Sequence, residues 1–111
     1  MAPKKNPANL NPLQLKTLTL LQEIARLENS PAEEEGAFTV TSLPHAHGNH
    51  FHLGHAVVSG KDATGLSNDA VWTILERKGM LRREPGKAII TAQGMTYETG
   101  LRDAILHHSD H

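Results

Sequence analysis

The sequence predicts a small α+β domain, and three observations carry that prediction. Apolar residues recur at helical spacing after a helix-start signal at Asn11. Two stretches near the middle of the chain have the composition and alternation of strands. The second half then runs as helix, hairpin and helix, with turn residues at the junctions. The 111 residues have room for one such domain with one modest core.

The first predicted helix spans residues 12–28. Asn11 is its predicted N-cap, Pro12 occupies the first helical position, and Gln14 can close a capping box with the Asn11 backbone. The segment before it, residues 1–10, is rich in Pro, Asn and Lys and is expected to be a disordered tail.

A hairpin is predicted over residues 38–58. Its first strand, at about 38–41, is composed of β-branched and aromatic residues. Its second strand, from about 50 to 58, alternates, so its apolar and histidine side chains are expected on opposite faces. The core-facing set is Phe51, Leu53 and Val57, and the outward set is His50 and His52.

The second half of the chain predicts a helix, a hairpin and a last helix. Residues 67–69 supply N-cap groups for the middle helix, and Gly79 is a fitting stop signal. The hairpin that follows turns at residues 84–87. Thr91 is then the predicted N-cap of a last helix over about 92–107.

Composition limits the class of protein. No run approaches the ~18 to 20 apolar residues of a membrane span, and no apolar run follows the N-terminal lysines as in a secretory signal. A cytoplasmic location without membrane contact is therefore expected. Cysteine is absent, which excludes disulfides, thiolate ligands and cysteine nucleophiles. One folded domain over 11–107 is expected, followed by a polar tail at 108–111.

Residues 65–81 resemble the recognition-helix segment of winged-helix transcription regulators. In that family a turn glycine and an apolar residue precede the helix, and a Leu–polar–Gly–apolar pattern closes it, as at 75–81 here. Residues 82–94 are similar to the family's wing and end in its apolar-Thr-x-x-Gly pattern. The resemblance implies a winged helix-turn-helix fold with three main helices, a small antiparallel sheet and a wing. Where the family has its second helix, residues 59–64 can make only a short turn.

The resemblance also implies double-stranded DNA as a partner. Exposed residues of the recognition helix would face the groove, while basic residues at its end and in the wing would contact phosphates. The groove-facing set is Asn68, Trp72 and Thr73, and the phosphate set is Arg77, Lys78, Arg82, Arg83 and Lys87. Asp69 and Glu76, on the exposed side of the same helix, would oppose a phosphate backbone.

Five histidines between residues 45 and 55 predict a transition-metal site: His45, His47, His50, His52 and His55. Because the chain has no cysteine, imidazole nitrogen must supply the ligands, with or without carboxylate oxygen. Such a shell suits zinc first, with nickel and copper as alternatives. His50 and His52 share a strand face and are the first predicted ligands. His47 and then His45 follow, and His55 is expected to face elsewhere.

Three functions are consistent with these features. The first is a metal-responsive, DNA-binding transcription regulator that forms a homodimer through Leu101 and Ile105 of the last helix. The second is a metal-binding or interaction protein that uses the winged helix as a scaffold without binding DNA. The third is a small metal-dependent hydrolase, which needs a general base near the metal. The nearest carboxylates, Asp62 and the run at 33–35, have no recognisable spacing, so the chain is expected not to be an enzyme.

Overall fold

Four helices and two small antiparallel sheets make up the α+β fold of the residues that the computed structural model describes, 6–45 and 48–108. The elements in order are α1 (Pro12–Glu28), β1 (Phe38–Val40), β2 (His50–Leu53), β3 (Ala56–Ser59), α2 (Asp69–Arg77), β4 (Leu81–Glu84), β5 (Lys87–Ile90), α3 (Ala92–Thr96), α4 (Arg102–Ile105) and β6 (His107–His108). Two 3₁₀ turns, Gly60–Asp62 and Thr64–Ser67, connect β3 to α2. None of the described helices has the length and apolar character needed to cross a membrane.

The predicted first helix is confirmed, and its capping signal works as expected. The Asn11 side chain accepts from the Gln14 backbone at 2.8 Å, and the Gln14 side chain accepts from the Asn11 backbone at 2.9 Å. The helix ends at Glu28, where Asn29 adopts a left-handed conformation with φ of 54°. Its buried leucines (Leu18, Leu20 and Leu21) are at most 1 % exposed. Both sheets and α2 pack against this helix.

The predicted pairing of the strand at 38–41 with the strand at 50–58 is wrong. β1 pairs antiparallel with β5 instead, with Phe38 opposite Ile90, which gives the sheet order β1-β5-β4. The physical reason lies in β5, where Ala88, Ile89 and Ile90 are all buried. A continuous apolar run of this kind is typical of a central strand, which needs a neighbour on each edge.

The second predicted strand is also interrupted, because Gly54 and His55 form a two-residue turn between β2 and β3. Gly54 has φ of +59°, and a positive φ at the first turn position is the pattern of a tight type II′ hairpin. The turn changes which residues share a face. Val57, predicted to face the core, lies opposite His52 and therefore on the outer face, while Val58 is fully buried.

The single last helix predicted over 92–107 is wrong, because it is divided into α3 and α4. Thr91 caps α3 as expected, accepting from the Gly94 backbone at 3.0 Å. The Gln22 side chain, however, donates to the carbonyls of Gly94 at 2.7 Å and Tyr97 at 2.9 Å. These two carbonyls therefore accept from a side chain of α1 rather than from the backbone of a following helical turn, so α3 ends here. Gly100, with φ of +75°, then changes the direction of the chain.

The broken helix changes the role of its predicted dimer residues. Ile105 is 3 % exposed and belongs to the hydrophobic core of the domain, and Leu101 is half-buried. Ile105 therefore does not provide the predicted homodimer surface. After it, His107 and His108 form strand β6, so the predicted polar tail at 108–111 begins inside a strand. Residues 109–111 lie outside the described residues.

The predicted disorder of residues 1–10 is wrong for residues 6–10, which pack on the domain. Leu10 is 4 % exposed, and the Tyr97 hydroxyl accepts from the Ala8 backbone at 3.1 Å. The Lys78 ammonium donates to the Ala8 carbonyl. An apolar anchor and two long-range hydrogen bonds therefore order a segment of polar composition. Residues 1–5 lie outside the described residues.

Candidate functional site

Two imidazoles converge on the outer face of the β2-β3-β6 sheet, called here the histidine face. His50 and His52 lie two residues apart on β2, so both side chains project from the same side of the strand. Their Nε2 atoms are 3.2 Å apart, and their ring centroids are 4.8 Å apart with the planes at 83°. The predicted placement of the two rings together, on one face of the strand, is confirmed.

The distance between the two Nε2 atoms fits shared coordination of one ion. Zinc–nitrogen bonds of about 2.0 to 2.1 Å at a tetrahedral angle place two ligand nitrogens about 3.3 to 3.4 Å apart, close to the 3.2 Å between His50 and His52. The same distance suits an N–H···N hydrogen bond between neutral rings. For one ion to bind both Nε2 atoms, the ring that donates this hydrogen bond would have to carry its proton at Nδ1 instead.

The other predicted ligands occupy different positions. His45 is exposed, and the two residues before it line the same surface groove as His52, so this loop passes beside the pair. His47 lies outside the described residues. His55 occupies the turn after β2, outside the paired strand positions. Over residues 6–45 and 48–108, no three histidine, aspartate or glutamate side chains are grouped closely enough to hold a metal ion.

The sequence leaves open whether His107 joins the histidine site, and the structure places it on the histidine face. It lies opposite Val57 in the pairing of β3 with β6, and its side chain is exposed. The sequence predicts the end of a helix and a polar tail here, which favours an incidental role for this histidine. The apolar pair just before it, Ile105 and Leu106, is the signal that could have indicated an anchored strand.

Two of the carboxylates predicted as candidate general bases, Asp62 and Glu34, are engaged in ion pairs. Asp62 is 8 % exposed and lies 3.0 Å from the Lys16 ammonium. Glu34 accepts two hydrogen bonds from Arg82, at 2.9 and 3.0 Å, and the Arg82 hydrogen bond lowers the pKa of the Glu34 carboxyl. Asp62 and Glu34 therefore already have cationic partners within the domain.

The predicted groove-facing residues lie on one surface, called here the α2–β4 face, but two of them serve the fold. The Asn68 side chain caps α2 by accepting from a backbone N–H of its first turn at 3.0 Å. The Trp72 indole donates to the Leu66 carbonyl at 3.0 Å and is half-buried. The Thr73 hydroxyl accepts from Arg83 at 3.1 Å. Trp72 therefore stabilises the turn before α2 rather than projecting fully outward.

Arg83 lies across the exposed side of α2. Its guanidinium donates to Asp69 at 2.6 Å and to Glu76 at 3.2 Å, and its backbone N–H donates to Glu76 at 3.1 Å. The hydrogen bond to Asp69 is the main reason that the pKa of Arg83 is raised, and the Arg83 backbone is the main reason that the pKa of Glu76 is lowered. One guanidinium paired with two carboxylates leaves this exposed side of α2 without excess positive charge.

Most of the other basic residues predicted to contact phosphate are also held within the domain. Arg82 forms ion pairs with Glu34 and Glu84. The Lys87 ammonium lies 3.7 Å from Glu84, and the Lys78 ammonium donates to the Ala8 carbonyl. Arg77 is exposed and forms no ion pair with any residue of the described ranges. The α2–β4 face is therefore a balanced network of charges rather than a basic stripe.

Comparison of the chain with protein families, curated proteins and solved structures gave no match. Two surfaces carry the residues predicted to be functional. The histidine face presents two converging imidazole nitrogens, and the α2–β4 face presents paired charges along α2.

Proposed function

We propose that the chain is a winged-helix domain that binds a transition-metal ion on its histidine face. The order of elements supports the winged-helix assignment, because α2 is followed directly by the β4–β5 hairpin and β1 extends that hairpin into one sheet. The 3₁₀ turns occupy the place of a second helix. The turn glycine of the motif also has a physical reason here, since a Cβ at Gly65 would lie 1.8 Å from the Thr17 hydroxyl of α1.

The 3.2 Å separation of the His50 and His52 nitrogens is the observation that carries the metal proposal. Both residues lie on a tight hairpin whose inner face is buried through Leu53 and Val58, so the strand that presents them is rigid. Ligands that are already convergent lose little conformational freedom when an ion binds. Zinc fits this nitrogen shell best, with nickel and copper as alternatives.

Metal content tests this proposal directly. We expect protein purified without a polyhistidine tag to carry zinc by elemental analysis, and the chelated protein to bind about one zinc ion in a calorimetric titration. The far-ultraviolet circular dichroism of the apo protein should remain that of a folded domain, because the ligands face away from the core. Failure to bind zinc, nickel or copper would disprove the proposal.

Regulation of transcription through metal-responsive DNA binding is the second proposed function. The α2 helix and the β4–β5 hairpin are the elements that would meet DNA in a winged-helix protein. Arg82 and Arg83 would have to exchange their carboxylate partners for phosphates. Exposed ion pairs contribute little to stability, so that exchange costs little. Asp69 and Glu76 would then remain as repulsive charges, which favours the alternative of a metal-binding scaffold that does not bind DNA.

Gel-shift titrations of pooled duplex DNA at two salt concentrations separate these alternatives. If DNA is a partner, Arg77→Ala weakens binding and reduces the slope of log K against log salt by about 0.9, because one phosphate contact is lost. Glu76→Gln strengthens binding, because it removes a repulsive charge. Arg102→Ala, which changes an exposed arginine of α4, is the matched control and leaves the slope unchanged. Absence of binding by the wild-type protein at low salt would select the scaffold.

A further inference from the structure

The register of the β2-β3-β6 sheet aligns His107 with His52. His52 lies opposite Val57 in one strand pair, and Val57 lies opposite His107 in the next. Directly opposed residues of antiparallel strands project from the same face. His52, Val57 and His107 therefore form one row across the histidine face, with His50 beside the first of them on β2.

Strand β6 is anchored immediately before this row. Ile105 and Leu106 are 3 % and 5 % exposed and pack in the core. The Leu106 backbone also donates to the Arg102 carbonyl at 3.0 Å, which closes α4 just ahead of the strand. The backbone position of His107 is thus set by buried neighbours, while its exposed imidazole is free of the core.

The distances across the sheet allow one ion to reach both edge strands. Two strand spacings separate the backbones of His52 and His107 by roughly 9.4 to 9.8 Å. An imidazole Nε2 lies about 4.5 Å from its Cα and a zinc ion about 2 Å beyond it, so at a tetrahedral angle two histidines can share an ion with Cα atoms up to roughly 10 to 11 Å apart. Val57, between them, is branched at Cβ and short, which leaves room above it. Rotation of the exposed His107 side chain is needed, since the described side chains do not group three ligands.

From this register we infer that His107 is a ligand of the ion held by His50 and His52, so that the metal clips β6 to β2 across β3. The inference rests on the proposed metal-binding function and adds a regulatory consequence. β6 consists of His107 and His108 alone and has few ladder hydrogen bonds of its own. A divalent transition metal would therefore control whether the C-terminal strand stays paired with the domain.

Calorimetric zinc titrations of four tag-free proteins test the clip: wild type, His107→Ala, His50→Ala and the control His55→Ala. Mutation of a residue that hydrogen-bonds to a metal ligand lowers metal affinity by about 10- to 100-fold. Loss of a ligand itself should lower zinc affinity at least as much. We expect that weakening for His107→Ala and none for His55→Ala. In addition, zinc should slow amide hydrogen exchange at residues 105–108 of the wild-type protein and leave exchange there unchanged in His107→Ala.

The outcomes distinguish the clip from the metal site itself. If His50→Ala loses zinc affinity while His107→Ala keeps wild-type affinity and zinc-dependent protection, the clip is wrong and metal binding at the histidine pair stands. If wild-type protein does not bind zinc, nickel or copper, both proposals are wrong. His107→Gln, which keeps a polar side chain of similar length, should behave like His107→Ala if ligation is the cause.

Discussion

Replacement of His50 or His52 by alanine is expected to remove tight zinc binding, whereas His55→Ala should bind zinc as the wild-type protein does. Either substitution removes one of the two nitrogens that converge at 3.2 Å, so a bound ion loses one of its two ligands on β2. The loss of zinc affinity should exceed about 100-fold, which is the upper end of the loss caused by mutating a residue that only hydrogen-bonds to a metal ligand. Calorimetric titration of tag-free, chelated proteins measures it.

Folding provides the control for this experiment. Both side chains project from the outer face of β2, so the alanine variants should keep the wild-type circular dichroism and unfolding midpoint without metal. His45→Ala should show a smaller loss of affinity, because its loop passes beside the pair. A loss at His55→Ala as large as that at His52→Ala would contradict the turn at 54–55, and equal affinity of every variant would place the metal elsewhere.

Gly94→Ala is expected to lower the stability of this fold far more than Gly86→Ala does. A Cβ at Gly94 would lie 1.9 Å from the carbonyl oxygen of Met80 and 2.8 Å from its carbonyl carbon. Both atoms belong to the backbone, and the oxygen accepts from Thr91 at 3.1 Å, so relief requires moving α3 away from the start of β4. We expect a loss of about 3 kcal/mol or more in the free energy of unfolding, beyond ordinary overpacking.

Gly86→Ala is the matched control for that substitution. Gly86 has φ of +74°, but a Cβ there would meet nothing within 4 Å. Its replacement should therefore cost only the ~1 to 2 kcal/mol of a left-handed alanine. Urea unfolding of the two variants at neutral pH compares the effects. A Gly94→Ala protein as stable as Gly86→Ala would show that Gly94 does not lie against the Met80 carbonyl.

The sequence by itself determined the features that depend on a few neighbouring residues. The capping box at Asn11, the Asn68 and Thr91 caps and the Gly79 stop signal each depend on residues within about one helical turn. The shared face of His50 and His52 follows from the two-residue period of any strand. These elements and the histidine pair were therefore predictable without knowledge of the rest of the molecule.

Only the tertiary structure decided which distant segments meet. The pairing of β1 with β5, the use of Gln22 to end α3, and the row that brings His107 toward His52 each join residues far apart in the chain. The packing of β4 against α2 likewise decided that Arg83 pairs with Asp69 and Glu76, which offset the charge of a segment that is basic in the sequence. Such contacts depend on the balance of buried area against loop-closure entropy over the whole chain, which no local pattern of residues records.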